Sequence, residues 1–408
     1  MTFDALPFIL ATGAVATILA YLLTPLAMRL ATAVGAIDEP DAGRRIHVRP
    51  IPRAGGLAVV AAFVAVGLVA LLLQQRYEFI RPFPWRLLDQ SELVAVFGGA
   101  VLAAAFGFID DRWQIWARWQ FLLQVVLALF AIWLGLSIVE INNPLDFLGF
   151  LDTDTLTFAG IGAGIVTALW IVGMINSINF VDGLDGLSTG VAIIAALTLG
   201  VVSLGFESSY QPVVALLCVL LAGSLLGYLP WNFYPAKVFI GTTGVMVMGY
   251  LLAVLAILGS AKIAAALLIL GVPIIDTFWI IARRVASGRS PFTPDRGHFP
   301  HRLLDLGLSH RGAVLLIYAL TVGLAVLSLV LAGGSGPLYA FMAVVIVSGV
   351  GLLLLTFRST GRDVALEASA YPDAEYPPTA VLAATQPPPE PDAAEADGAS
   401  DADAPRSP

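Results

Sequence analysis

Charged residues are scarce in this chain. Only 12% of its 408 residues are Asp, Glu, Lys or Arg, and 58% are hydrophobic. Soluble proteins carry about a quarter charged residues, so the composition excludes an ordinary soluble protein. It predicts an all-α, polytopic membrane protein whose partner is the lipid bilayer, with no nucleic-acid partner.

Cysteine is almost absent. The single Cys218 lies inside an apolar run, which excludes a disulfide framework and a cysteine metal site. No repeat of fixed period is evident, and no segment has the composition of a soluble second domain. The N-terminus lacks the basic region and cleavage site of a signal peptide, so we expect its first apolar run to be a retained span.

Long apolar runs are what the chain has in abundance. Runs of about twenty apolar residues predict membrane-spanning helices. Eleven such spans are predicted, near 6–31, 53–73, 91–109, 119–139, 158–176, 187–205, 211–229, 239–259, 262–282, 312–332 and 337–357.

The basic residues predict an orientation. With eleven spans the termini lie on opposite sides, and the loops on the C-terminal side are 32–52, 110–118, 177–186, 230–238 and 283–311. Most Arg and Lys residues fall on that side, whereas the other loops hold Arg76, Arg81, Arg86 and Lys262. The positive-inside rule then places the C-terminus in the cytoplasm and the N-terminus outside, although the three arginines at 76–86 oppose this assignment.

The net charge of −8 comes from the C-terminal tail. Residues 365–408 hold nine Asp or Glu and one Arg, whereas 1–364 hold twenty acidic and twenty basic residues. The tail is poor in apolar residues and rich in Pro and Ala-Asp, so we predict that it is disordered. The predicted organisation is a membrane domain over 1–360 and a disordered acidic tail over 361–408.

The most polar stretch between two spans is 176–190, which contains Asn176, Asn179, Asp182 and Asp185. A carboxylate at a bilayer boundary is retained mainly where it faces water, a metal or a ligand. Asp-Gly is also ordinary turn chemistry, and Asn caps helices. A single Asp-Gly would favour the turn, whereas a doubled Asp-Gly after Asn-x-x-Asn favours a functional site.

Two adjacent carboxylates, Asp110 and Asp111, end the third predicted span. Adjacent carboxylates repel each other unless a cation lies beside them, and Mg²⁺ is commonly held by one or two carboxylates plus substrate phosphates. One aspartate acting as a general base is an alternative. A helix end solvated by water, with Arg112 as the ionic partner, is another.

Three histidines in loops on the predicted cytoplasmic side stand out. His47 lies near Arg53 in a loop with four arginines, and His298 and His301 precede Arg302. Basic side chains beside exposed amides suit a phosphorylated ligand, although positive-inside topology also explains the arginines. Two histidines could bind zinc, but no third ligand has the spacing of a structural site, so phosphate contact is the preferred interpretation.

Together these residues resemble a known family, the polyprenyl-phosphate N-acetylhexosamine-1-phosphate transferases, which includes the phospho-MurNAc-pentapeptide transferases. The resemblance covers about 20–357. It rests on 45–56, Asp110-Asp111 with Gln124, 176–186, Asn232 with 235–236, Pro273 with Asp276, and 295–307. The His-x-x-His-Arg ending is similar to that of the N-acetylhexosamine branch, because the pentapeptide branch usually shows consecutive histidines.

The resemblance implies an enzyme and a reaction. A polyprenyl phosphate attacks the β-phosphorus of a UDP-N-acetylhexosamine at the cytoplasmic face of the bacterial plasma membrane, giving a polyprenyl-diphospho-sugar and UMP, with Mg²⁺ required. The resemblance implies GlcNAc as the sugar and undecaprenyl phosphate as the lipid. The implied role is to initiate synthesis of an envelope glycan such as teichoic acid or lipopolysaccharide. Direct attack and a covalent aspartyl intermediate both fit, and a homodimer is compatible with the family.

It also implies roles for individual residues. Asp110, Asp111 and Asp182 are catalytic, with Asp182 supporting its loop. Asn179, Asp111 and Thr242 match the metal site, and Asp185 matches a uracil contact. The remaining substrate-binding residues are His47, Arg53, Asn176, His298, His301 and Arg302.

Three departures from the family pattern stand out. Thr242 occupies the position of a metal-binding Asp, and Pro300 occupies that of a histidine. Gln120 occupies the position of a lysine, for which Arg118 is a possible substitute. The chain is therefore either an active variant, which we favour, or a catalytically impaired scaffold for envelope assembly. A transporter is a further alternative, but it would typically show repeats and mid-membrane broken helices.

Overall fold

The computed structural model describes residues 5–39, 50–76, 88–143, 155–205, 210–258, 261–286, 299–331 and 335–348. These residues belong to one unit, Met1–Val350. The helices are α1 (Leu6–Val34), α2 (Gly56–Arg76), α3 (Gln90–Leu93), α4 (Gly99–Trp113), α5 (Ala117–Trp133), α6 (Ile161–Val181), α7 (Leu187–Gly205), α8 (Pro212–Asn232), α9 (Gly241–Ile257), α10 (Ala261–Ile269), α11 (Gly271–Ala286), α12 (Phe299–Asp305), α13 (His310–Val330) and α14 (Gly336–Ser348). The predicted disordered tail, 361–408, lies outside the described residues.

Seven of the described helical segments are long and apolar enough to cross a membrane. They are α1, α2, the continuous segment Gln90–Trp113 that joins α3 to α4 through a π-helical turn, α6, α7, α8 and α13. α5, α9 and α14 are shorter apolar helices, and α10 with α11 forms one further candidate. Each predicted span therefore coincides with a helix or helix pair, which confirms an all-α polytopic membrane protein. The count of eleven crossings and the orientation stay predictions.

The predicted span 262–282 is broken. α10 and α11 meet at an angle of 76°, and the break falls immediately before Gly271 and Pro273. Pro273 has no N–H to donate to the carbonyl of Ile269, so the α-helical ladder of α10 cannot continue through it.

The centre of the bundle is formed by α7, α8 and α9. In the most apolar stretches of α7 and α8, 78% and 83% of residues are buried, and α9 is buried along nearly its whole length. α1 packs against α8, and α4 and α6 pack against α9. A Cβ at Gly227 of α8 would collide with the backbone of Thr17 in α1, so glycine permits these two backbones to touch.

Two short antiparallel hairpins lie between the helices. β1 (Ile37–Asp38) pairs with β2 (Ile51–Pro52), and β3 (Glu140–Asn142) pairs with β4 (Thr155–Thr157). After β2, Arg53 pairs with Phe239 just before α9. This pairing ties the chain after β2 to the entrance of α9, where the functional residues gather.

Candidate active site

Polar residues from several helix ends meet at one end of the bundle. The C-terminal end of α4 supplies Asp110 and Asp111, and the N-terminal end of α9 supplies Thr242 and Thr243. The loop between α6 and α7 supplies Asp182. The sequence predicts that these residues lie on one side of the membrane; the structure places them at one end of the bundle, and the side of the membrane stays a prediction.

Asp111 holds the N-terminus of α9. Its Oδ1 accepts a hydrogen bond from Thr242 N at 2.8 Å, and its Oδ2 accepts from Thr243 N at 2.9 Å and Thr243 Oγ1 at 2.5 Å. The first N–H groups of a helix have no partner within it, and the residue before α9 provides no side-chain cap. A carboxylate from α4 therefore caps α9 and fixes the two helices to each other.

Gly241 makes this cap possible. Its φ of +69° lies in the left-handed region, which glycine adopts without steric cost. A Cβ at this position would also collide with both carboxylate oxygens of Asp111. The turn before Thr242 is therefore built around the carboxylate.

Asp110 is held by uncharged donors. Its Oδ1 accepts from Gln120 Nε2 at 2.7 Å and from Ile115 N at 3.0 Å, and its Oδ2 accepts from Thr242 Oγ1 at 2.5 Å. Only 3% of the residue surface is exposed. Gln120 and Thr242 are two of the three family departures, and they converge on the same carboxylate.

Among the residues that the structure describes, Arg53 is the cation paired with Asp111. Its Nε lies 3.7 Å from Asp111 Oδ1, and one terminal nitrogen lies 3.4 Å from Asp38 Oδ1. Arg112 is exposed and lies over the ring of Trp113 instead. The alternative in which Arg112 is the ionic partner of the aspartate pair is therefore wrong.

Burial raises the pKa of Asp182 to about 7 from the ordinary aspartate value. A hydrogen bond from Ser188 Oγ at 2.5 Å and the charge of Arg53 lower this pKa, whereas the charges of Asp111 and Asp185 raise it. Asp182 therefore lies within electrostatic range of Arg53, Asp111 and Asp185.

Asp185 and Asn176 have defined partners. Asp185 Oδ2 accepts a hydrogen bond from Ala236 N at 2.9 Å. Asn176, the last residue of the predicted span, lies inside α6 and donates to Gln124 Oε1 at 2.6 Å. Asn176 therefore joins α6 to α5 inside the bundle.

Other predicted site residues are less defined. Asn179 is exposed on the last turn of α6. Arg302 lies in α12, and the first N–H of that helix donates a hydrogen bond to Asp276 Oδ1 at 3.1 Å. His47 and His298 lie outside the described residues, as does the side chain of His301. Their roles stay predictions.

Sequence reasoning missed several contacts. Thr243 and Ser188 bind the site aspartates, and His310 Nε2 accepts from Asp185 N at 3.0 Å. Arg118, the suggested substitute for the family lysine, is exposed over the ring of Trp116. Gln120, which occupies the position of the family lysine, makes the contact to Asp110 itself.

The chain matches the family model of glycosyl transferase family 4 over residues 93–260. It is 33% identical over 332 residues to a probable undecaprenyl-phosphate N-acetylglucosaminyl 1-phosphate transferase of Bacillus subtilis, covering 80% of this chain and 86% of that protein. The chain belongs to glycosyl transferase family 4. The predicted resemblance and the predicted transferase class are thereby confirmed.

Two further relatives of this family 4 member bear on its branch. A decaprenyl-phosphate N-acetylglucosaminephosphotransferase of Mycolicibacterium smegmatis is 34% identical over 389 residues, which cover 87% of this chain and 90% of that protein. A phospho-N-acetylmuramoyl-pentapeptide-transferase of Staphylococcus epidermidis is 27% identical over 242 residues, covering 56% and 69%. The matched region is thus longer, and the sequence identity higher, for the two N-acetylglucosamine proteins than for the pentapeptide transferase.

The donor set of the site suits a hard cation. Asp110, Asp111, Asp182 and Asp185 supply carboxylate oxygens, and Asp111 lies beside the guanidinium of Arg53. No group of three or more His, Cys, Asp or Glu side chains within the described ranges is arranged to hold a metal. Mg²⁺ is commonly held by one or two carboxylates plus substrate phosphates, and Asp111 is the carboxylate that the family resemblance assigns to it.

Proposed function

We propose that this family 4 transferase moves GlcNAc-1-phosphate from UDP-GlcNAc to undecaprenyl phosphate, giving undecaprenyl-diphospho-GlcNAc and UMP. The observation that carries the proposal is the 33–34% identity, over most of both chains, to two proteins named for N-acetylglucosamine phosphate transfer. The matched family region contains Asp110, Asp182 and Thr242. The weaker likeness to a pentapeptide transferase disfavours that branch.

The reaction exchanges one phosphorus–oxygen bond for another. An oxygen of the lipid phosphate forms a bond to the β-phosphorus of the donor, while the bond from that phosphorus to the oxygen shared with the α-phosphorus breaks. UMP leaves with that oxygen. Such transfers depend mostly on positioning and on neutralising charge.

The two adjacent aspartates have different parts in this proposal. Asp111 accepts hydrogen bonds from the N-terminus of α9 and is paired with Arg53, so it holds α4, α9 and Arg53 in position. Asp110 Oδ2 accepts one hydrogen bond among the described residues and retains a lone pair for chemistry. We therefore assign the reactive carboxylate, as nucleophile or as base toward the lipid phosphate, to Asp110.

Mg²⁺ supplies charge neutralisation at the diphosphate when it is bound. Asn179, Asp111 and Thr242 are the residues that the family resemblance assigns to it. Asp111 and Thr242 make the hydrogen bonds described above, so ligation would require each to exchange or share a bond. Asn179 is exposed and available.

The proposed setting is the cytoplasmic face of a bacterial plasma membrane, where a soluble nucleotide sugar and an isoprenoid chain can meet. The site lies at helix ends, not at the middle of the bundle, which supports an interfacial reaction. Synthesis of an envelope glycan would begin with the lipid-linked sugar.

The test is UMP release by purified protein in detergent from UDP-GlcNAc and undecaprenyl phosphate, with and without Mg²⁺. We expect metal-dependent release, and we expect Asp110→Asn and Asp182→Asn to abolish it in folded protein. Glu140→Gln, in the exposed first position of β3, removes the same charge away from these residues and serves as the control. Absence of release with several UDP-sugars would favour the impaired scaffold that Thr242 suggests.

A further inference from the structure

Three segments that are distant in sequence contact one another. They are the loop 182–186, residues 233–236 after α8, and the N-terminal half of α13. We call two sets of contacts the loop clamp: those of Asp185 and Gly186 with Ala236, His310 and Tyr318, and those of Tyr234 with His310 and Arg311. None of the motifs used above to locate the site includes His310 or Tyr234.

The first contact fixes the backbone of the loop. Asp185 N donates a hydrogen bond to His310 Nε2 at 3.0 Å. An accepting Nε2 carries no proton, so the neutral ring bears its proton on Nδ1. His310 is the first residue of α13, and it therefore links the start of that helix directly to the loop.

The second contact fixes His310. Its ring stacks on Tyr234, with ring centroids 4.4 Å apart and planes 24° apart. Arg311 Nη2 donates to Tyr234 O at 3.0 Å. Tyr234 is 39% exposed, so this stack does not fill a core, and its geometry orients the imidazole toward Asp185.

The remaining contacts close the clamp. Ala236 N donates to Asp185 Oδ2 at 2.9 Å, and Tyr318 donates its hydroxyl hydrogen to Gly186 O. The backbone and the side chain of Asp185 are thus held from two different segments. A loop with glycine at 183 and 186 would otherwise sample many backbone conformations.

We propose that His310 and Tyr234 are positioning residues that hold the loop 182–186 in the conformation that binds the uridine diphosphate part of the donor. The assignment of that loop to the donor rests on the proposed function. A ligand that binds one conformation loses apparent affinity in proportion to the fraction of protein outside it. The clamp contacts Asp185 and Gly186, whereas the proposed catalytic Asp182 is held separately by Ser188. We therefore expect the clamp to set donor affinity much more than the rate of the chemical step.

Three variants separate the parts of the clamp. His310→Phe keeps an aromatic ring against Tyr234 but removes the acceptor, His310→Gln restores an acceptor without the imidazole, and Tyr234→Leu removes the stack. For His310→Phe we expect the KM for UDP-GlcNAc to rise about tenfold, the effect of one lost hydrogen bond. We expect kcat and the KM for undecaprenyl phosphate to stay within about threefold, since the loss of a single positioning contact leaves the reacting groups in place. His310→Gln should recover most of the donor KM.

Equilibrium binding of UDP to the full-length protein, with Mg²⁺ present, gives a readout that does not require turnover. If the native protein binds UDP but releases no UMP, the proposed function fails while the clamp is still tested. UDP affinity in His310→Phe and Tyr234→Leu equal to native affinity would overturn the clamp proposal. Equal weakening by His310→Phe and His310→Gln would also overturn it, because the accepting atom would then not matter. If His310→Phe does not fold, the UDP affinity of Tyr234→Leu, a change at an exposed position, tests the proposal.

Discussion

Thr242 Oγ1 lies 2.5 Å from Asp110 Oδ2 and donates a hydrogen bond to it. A residue of α9 thereby orients a carboxylate of α4 that is almost fully removed from solvent. Where the family resemblance expects a carboxylate at 242, this chain has a donor. Two carboxylates so close would repel each other, whereas a hydroxyl holds Asp110 in one orientation.

Removing this hydroxyl should slow the chemical step. For Thr242→Val, which keeps the shape of the side chain, we expect kcat to fall about tenfold because Asp110 loses one of its three donors. Thr242→Ser keeps the donor and should retain most of the activity. The measurement is UMP release at saturating UDP-GlcNAc and undecaprenyl phosphate. Native kcat in Thr242→Val would show that this hydrogen bond is not used.

Gln120 should matter more than Arg118. Gln120→Leu removes the 2.7 Å bond to Asp110 Oδ1 and should lower kcat about tenfold, and Gln120→Glu should lower it further through repulsion between carboxylates. Arg118→Gln changes an exposed side chain over Trp116 and should leave kcat near native. The same UMP assay compares the three. A larger loss from Arg118→Gln than from Gln120→Leu would restore Arg118 as the substitute for the family lysine.

These contacts show what the sequence could and could not predict. The apolar runs predicted a helix for each span, and the loop assignment predicted that Asp110, Asp111 and Asp182 lie on the same side of the membrane domain. The different roles of Asp110 and Asp111 were not predictable, because they depend on which of the two carboxylates faces the N-terminus of α9. The extra turn of α6 that takes in Asn179 was also missed, since Asn is common at helix ends.

Asp111 should contribute to stability through its cap on α9. Asp111→Asn leaves one accepting oxygen for two N–H donors and removes the ion pair with Arg53, so we expect about 2–4 kcal/mol of destabilisation. Thermal unfolding in detergent measures this as a lower midpoint. Asp38→Asn removes the other carboxylate partner of Arg53 and should cost less. Equal midpoints in native and Asp111→Asn protein would contradict the capping role.

Gly107 permits the close approach of α4 to α9 on which this cap depends. A Cβ there would collide with the backbone of Thr242 and Thr243, so Gly107→Ala should force the helices apart and cost about 1–3 kcal/mol. Gly173 lies in α6, and a Cβ added to it would meet no neighbouring atom within 4 Å. Gly173→Ala should therefore be neutral or slightly stabilising, since Ala has the higher helix propensity. Similar unfolding midpoints for the two variants would argue against tight packing at Gly107.

Asp182 should make stability depend on pH in metal-free buffer. Its pKa is about 7 in the folded protein and about 3.9 in an unfolded chain. Between these values the folded state holds a proton that the unfolded state has lost, so stability is greatest below about pH 4 and falls as pH rises toward 7. The slope contributed by Asp182 is at most about 1.4 kcal/mol per pH unit. Above pH 7 both states are ionised and this contribution becomes constant.

Asp182→Asn removes the titrating group while keeping an oxygen that can accept from Ser188 Oγ. We expect the fall in unfolding midpoint between pH 5 and 7 to be smaller in this variant than in the native protein, with EDTA present throughout. Glu140→Gln removes an exposed carboxylate from β3 and should keep the native pH dependence. The same pH dependence in Asp182→Asn and native protein would mean that Asp182 is ionised in the folded state across this range, and that Arg53 and Ser188 outweigh its burial.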